Sequence, residues 1–173
     1  IQVAADGKVT CGGCTKAFPT GWHITEPLDH PMYVKPFESF WANGACFLLR
    51  AKAARECGLL DETMQFICSD SDYSFTLRSR GWKIFVVPSA LCQHEPDGAL
   101  NFKNALIERT KDEDSLRFMD KWLCGGLYQQ LSQEGPTMKV EEVIQRHHLL
   151  KGRLAYWATE GETEGSGGAD VPE

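Results

Sequence analysis

Three groups of side chains in this 173-residue sequence have types and spacing suited to chemistry. Asp70-Ser71-Asp72 places two carboxylates in what reads as the first turn of a helix. The positive end of the helix dipole favours their ionised forms there, although acidic residues also occupy such positions simply as caps. His94 ends a short extended run and is followed by Glu95-Pro96. A histidine at a strand end can offer a neutral imidazole to a metal, and lone histidines also serve as surface or hydrogen-bonded core residues. Cys11-Gly-Gly-Cys14 has the spacing of half a zinc site or of a redox pair. A closed zinc site needs four ligands, no second C-x-x-C follows, and His23 and His30 are the nearby helpers. Buried structural thiols are the other reading of the pair.

The elements that must position these groups alternate between strand and helix patterns. Ile1 to Val9 reads as a strand pair around the turn dipeptide Asp6-Gly7. Thr10 to Glu38, rich in Gly, Pro and His, reads as a long irregular loop facing a substrate or partner. Phe40 to Arg50 reads as a central strand, because Ala45 to Leu49 is apolar on both faces. Ala51 to Cys57 is a short helix stopped by Gly58. A second helix starts at Ser69, which can cap it with Asp72 three residues on, and ends at Gly81. Trp82 to Val87 is the next strand, closed by Pro88, and Leu91 to His94 is extended. Asp112 or Asp114 opens a helix running through Trp122 to Cys124, with Gly125-Gly126 after it. Pro136-Thr137 precede a last helix with Val140, Val143, Ile144, His147, Leu150, Leu154 and Trp157 on one side, His147 at the core edge and His148 in solvent. The pattern predicts an α/β architecture.

Composition narrows the function classes. The net charge is −6, from 24 acidic and 18 basic residues. Five of the acidic residues lie in Thr159 to Glu173, which holds no Lys or Arg, so the rest carries 19 acidic against 18 basic residues. The tail cannot bury enough apolar surface to offset its ordering entropy and is expected to be disordered. No basic face for nucleic acid is indicated. No apolar run approaches the roughly 20 residues that span a bilayer. Seven cysteines, an odd number, with no secretory leader visible, point to reduced thiols and a cytoplasmic setting. The chain opens on Ile1 without Met, which reads as a fragment. No G-x-S-x-G, P-loop or dinucleotide-binding glycine pattern occurs.

The order of motifs is more specific than any one of them. "FWANGACFLLRAKAARECGLLDETMQF" is followed by "SDSDYSFTLRSRGWKIFVVPSALCQHE". This resembles the C-terminal half of glycosyltransferase family 2, in its rhamnosyltransferase-like branch, whose members show a Gly-Ala-Cys-like strand end, a short helix, "Glu-Asp-x-Asp-x-x-x-Arg", "Gly-aromatic-x-hydrophobic", "Pro-x-Ala" and a His. The likeness covers about residues 1–125, the acceptor-side half of such a domain, with 126–158 as a helical extension and 159–173 as the tail. It implies a GT-A type fold, a mixed sheet with flanking helices, and an inverting transfer from a nucleotide-diphospho-sugar to a glycan or lipid-linked acceptor hydroxyl, in cell-surface polysaccharide or glycan synthesis. The work would be done in the cytoplasm or at the inner membrane face.

Carried over residue by residue, the resemblance makes Asp70 the base and gives Asp72 a catalytic or supporting part. It makes His94 a ligand of a divalent Mn or Mg ion, and has Asn43, Gly44 and Trp41 line the substrate site. Asp70-Ser71-Asp72 is not the family's donor-binding D-x-D, since it begins a helix after the acceptor segment. Ser69 stands for the usual Glu, and Thr76 stands where Arg is expected, with Arg78 two residues later. The donor half is missing from these residues, so the chain alone is expected to be inactive. A non-catalytic saccharide- or protein-binding module on the same fold is the alternative, and a zinc or redox protein built on Cys11 and Cys14 is the third.

Overall fold

The computed structural model describes residues 1–16, 22–95, 104–123 and 140–164. Its architecture is mixed α/β. Strand β1 (Gln2–Val3) pairs antiparallel with β2 (Val9–Cys11) and parallel with β7 (Cys92–Gln93), giving a small mixed sheet in the order β2-β1-β7. The hairpin turns where the sequence places it. Gly7 takes φ 83°, and Ala4 N–H donates to the Lys8 carbonyl at 2.8 Å.

The described residues of the expected loop, 10–16 and 22–38, are more regular than expected. Strand β3 (Cys14–Lys16) pairs antiparallel with β4 (Trp22–His23), a 3-10 turn spans Pro31–Val34, and β5 (Phe37–Glu38) pairs antiparallel with β6 (Phe85–Val86). These pieces are two to four residues long, too short for a period to emerge from the sequence. The expected strand Trp82 to Val87 reduces to β6 for the same reason.

The largest departure is Phe40 to Arg50, which is not a strand. Phe40 N–H still reaches the Cys14 carbonyl in β3, but three donors beyond it are taken by side chains. Ser74 Oγ accepts from Ala42 N–H, Asp70 Oδ2 from Gly44 N–H and Asn43 Oδ1 from Ala45 N–H. The apolar run beyond stays open, with Leu48 fully exposed and Phe47 partly so.

Helix α1 (Ala51–Cys57) ends as expected on Gly58, whose N–H makes the last helical bond to the Ala54 carbonyl and whose φ of 85° then turns the chain out of the helix. Helix α2 (Ser69–Ser79) begins one residue earlier than a Ser69 cap would allow. The residue before it, Cys68, sits at φ 67°, Ser69 is the first helical residue, and no side-chain cap bond forms at Cys68. The predicted capping box is therefore absent, because Asp72 is drawn elsewhere. Left-handed backbone at a non-glycine residue costs about 1–2 kcal/mol. The loop before it is held by Asp114, whose carboxylate accepts from the N–H groups of Gln65, Phe66 and Ile67 at 3.1, 2.6 and 2.9 Å.

Asp112 and Asp114 do not open their helix. Helix α3 (Ala105–Phe118) starts at Asn104, whose Oδ1 accepts the Leu106 N–H, and it passes into a wide turn over Met119–Leu123. Both aspartates are buried on its inner face. Helix α4 (Val140–Glu164) packs Val143 and Leu150 inward, while Ile144 points to solvent. His147 is half-buried, bonded to Asp120 at 2.7 Å, and His148 is exposed. The helix runs to Glu164, inside the stretch expected to be disordered. Residues 165–173, Cys124, Gly125-Gly126, Pro136-Thr137 and the side chains of Val140 and Trp157 lie outside the described residues.

The core joins these pieces. Phe75 is wholly buried, with ring centroids 5.3 to 5.8 Å from Phe118, Trp122 and Phe40. Trp41, Cys68, Val143 and Leu150 close around it. Among the described residues no helix is long and apolar enough to cross a membrane.

Candidate functional site

The Cys11-Gly-Gly-Cys14 segment joins the end of β2 to the start of β3, and both glycines are obligatory there. A Cβ on Gly12 would lie 1.9 Å from the Tyr33 hydroxyl. Gly13 takes φ 125°, and a Cβ there would also meet Val86 at 2.8 Å. The turn brings the buried thiols of Cys11 and Cys14 to 3.8 Å. On the β3–β4 ladder Cys14 stands directly opposite His23, so register places an imidazole beside the pair. Ligand atoms of Cys11, Cys14 and His23 lie within 4.8 Å of one another. His30, the other helper, instead accepts the Met32 N–H at the head of the 3-10 turn.

The two thiols are electrostatically unequal. Hydrogen bonding from Cys14, against the effect of burial and with help from a Gly13 backbone contact and His23, pulls the Cys11 thiol down to about 6. The same bond, seen from its donor, pushes the Cys14 thiol far up, and burial, the Cys11 charge and Asp70 add to this. Of the two, Cys11 is the thiol that ionises more readily.

Asn43 links this trio to the helix. Its Nδ2 donates to His23 Nε2 at 3.2 Å, while its Oδ1 accepts from Gln2 Nε2 at 2.9 Å and from Ala45 N–H at 3.0 Å. The next residue, Gly44, donates its N–H to Asp70 Oδ2 at 2.8 Å. Asp70 Oδ1 accepts from the Ser71 N–H and, more weakly, its hydroxyl. A Cβ on Gly44 would sit 3.3 Å from that of Asp70, so the chain needs a small residue to come this close. Gly44 and Asp70 thus meet across 26 residues of sequence.

Three other expectations change. Asp72 is 1% exposed and has no access to an acceptor. Its oxygens receive Trp122 Nε1 at 2.6 Å and Lys121 Nζ at 2.9 Å, because positions i and i+2 point to different sides of a helix. Its role is to fasten α2 to the turn after α3. Trp41 is also almost wholly buried, 5.7 Å from the His23 ring, and is a core residue rather than an open stacking surface. His94 is exposed beyond β7, where its N–H donates to the Val3 carbonyl, and neighbouring Glu95 accepts the Ala5 N–H. No trio of potential ligands among the described residues includes His94. A hard Mn or Mg ion requires several oxygen ligands, so the residues around His94 do not by themselves fit one.

A groove of about 840 Å³ opens beside the cluster. Cys11, Cys14, Trp41 and Asn43 line one end, and exposed apolar side chains, among them Phe47, Phe85 and Leu91, line the rest. No family model, no curated protein and no solved structure matches the chain.

Proposed function

We propose that the chain is the acceptor-side part of an inverting, GT-A type sugar transferase, and that Asp70 is its base. The observation that supports this most is the Gly44–Asp70 hydrogen bond. It ties the Asn43-Gly44 step to the start of α2, the pairing expected if both line one acceptor site. Asp70 is half-buried, and its Oδ2, which accepts only the Gly44 N–H among the bonds described, keeps a lone pair for a proton. The donor in this reading is a nucleotide-diphospho-sugar, and the acceptor a glycan or lipid-linked hydroxyl on the cytoplasmic side of a membrane or in the cytoplasm.

The chemistry asked of the site is small. The acceptor oxygen attacks the anomeric carbon while the bond to the diphosphate breaks and takes its electron pair with the nucleotide. The hydroxyl proton passes to a carboxylate within hydrogen-bond reach, the part given to Asp70. Gly44 holds one carboxylate oxygen, and the Ser71 N–H holds the other, so the base is oriented before an acceptor arrives. Asp72 is left out of this chemistry and serves packing. A divalent cation in such enzymes neutralises the leaving diphosphate, and no step here is assigned to one.

The test is to incubate the protein as encoded with a panel of nucleotide-diphospho-sugars and mono- and oligosaccharide acceptors, and to measure release of nucleoside diphosphate. Acceptor-dependent release supports the reading. Saccharide binding without any release would replace it by a binding module.

A further inference from the structure

The Cys11–Cys14–His23 cluster has no part in the proposed transfer chemistry. Four features together mark it as a site. Both thiols are buried, at 5% and 2% exposure. Their sulfurs are 3.8 Å apart. Two thiolates on one tetrahedral zinc, each at about 2.3 Å, stand about 3.8 Å from each other, whereas a disulfide would need about 2.05 Å. His23 supplies a ring nitrogen within 4.8 Å of both sulfurs, from the strand position facing Cys14. Cys14 is braced from outside, since its N–H donates to Ser39 Oγ.

We infer that Cys11, Cys14 and His23 bind one zinc(II) ion, with water completing a tetrahedron. Two thiolates and a neutral imidazole cancel the charge of the ion, which suits a poorly solvated position. The donor set is soft sulfur plus imidazole, which selects zinc over magnesium, calcium or manganese. On binding, the thiol protons leave to solvent and two Zn–S bonds and one Zn–N bond form, with no change of oxidation state. The glycine pair fits this assignment, because Gly12 lets the chain pass under Tyr33 and Gly13, at φ 125° against Val86, completes the turn that brings both sulfurs together. The ion would cross-link β2, β3 and β4. The inference goes beyond the transfer reading and stands without it, as its test measures metal, not turnover.

The experiment uses the chain without an affinity tag that binds metal, purified in reductant, loaded with zinc sulfate, dialysed and analysed by inductively coupled plasma mass spectrometry together with a thiol count. About one zinc per chain is expected. Cys11→Ser and Cys14→Ser should each lower it at least tenfold, His23→Ala should weaken retention against a chelator, and Cys57→Ser should keep it. Cobalt(II) loading should give the intense visible bands of a tetrahedral thiolate site, lost in the same variants. Circular dichroism identifies any variant that fails to fold, and for such a variant the cobalt spectrum of the wild-type chain, with Cys11 and Cys14 protected from alkylation by metal, carries the decision. Less than a tenth of a zinc per wild-type chain after loading would overturn the inference. So would ready oxidation of Cys11 and Cys14 to a disulfide in the presence of excess zinc, which would make the pair a redox dithiol.

Discussion

Asp70 and Asp72 stand in one helical turn, yet they belong to different regions of the molecule. Asp70 faces the Cys-His end, where its partners are a backbone N–H from Gly44 and its own neighbour Ser71, and where a groove opens. Asp72 faces the helical end, where Lys121 and Trp122 saturate it and where Asp61 shares the same lysine. The first region is built of short strands and polar links, the second of helices around Phe75 and Phe118. A D-x-D string is therefore not a unit of function on a helix. Its members diverge by about 200° and answer to separate surroundings.

The sharpest break of this contrast is Asp72→Ala, which leaves the Trp122 N–H and Lys121 without their buried acceptor. We expect a loss of about 3 kcal/mol in urea unfolding, and a value near zero would mean that the helical end does not depend on this carboxylate. Asp114→Ala comes next. It frees three backbone N–H groups before α2, at an expected cost of about 2 kcal/mol, with the larger sign being a loosened 65–67 segment in hydrogen exchange. Gly44→Ala acts in the other region. Pressing a methyl against Asp70 should cost about 1 kcal/mol of stability and slow transfer by more than that cost implies, because it displaces the base. The smallest effect concerns acid. The Thr63 hydroxyl, Lys121 and the Thr63 N–H hold the Asp61 carboxyl well below the usual range. Its folded-state value being lower, its contribution is complete above the unfolded value of about 3.9 and fades as pH falls below it. Asp61→Asn should therefore lower stability slightly at neutral pH, change little well below about pH 4, and so flatten the acid limb of the profile, as checked by thermal melts across pH.

Local signals carried well into the structure where they rest on backbone chemistry. Gly7 and Gly58 turn and stop their elements as their residue type dictates, and both take positive φ. The mixing of helix and strand was also legible. What failed was long-range. The apolar run Ala45 to Leu49 looks like a central strand, but a strand is a pairing, and no pattern within one segment reveals that its N–H groups go to Ser74 and Asp70 instead. Asp114 looks like a helix start, and nothing local shows that its carboxylate reaches Gln65 to Ile67. The Cys11–Cys14–His23 cluster was visible as spacing, while the sheet register that sets His23 opposite Cys14 was not.

The central claim is that Asp70 alone of the two aspartates does chemistry. It is tested by measuring sugar transfer by the encoded protein with Asp70→Asn beside Asp72→Asn, each at a temperature where it is folded. The account predicts that Asp70→Asn lowers the rate at least about 100-fold, the scale of general-base loss, with donor affinity intact, and that folded Asp72→Asn stays within a few-fold of wild type. Wild-type turnover in Asp70→Asn would contradict it.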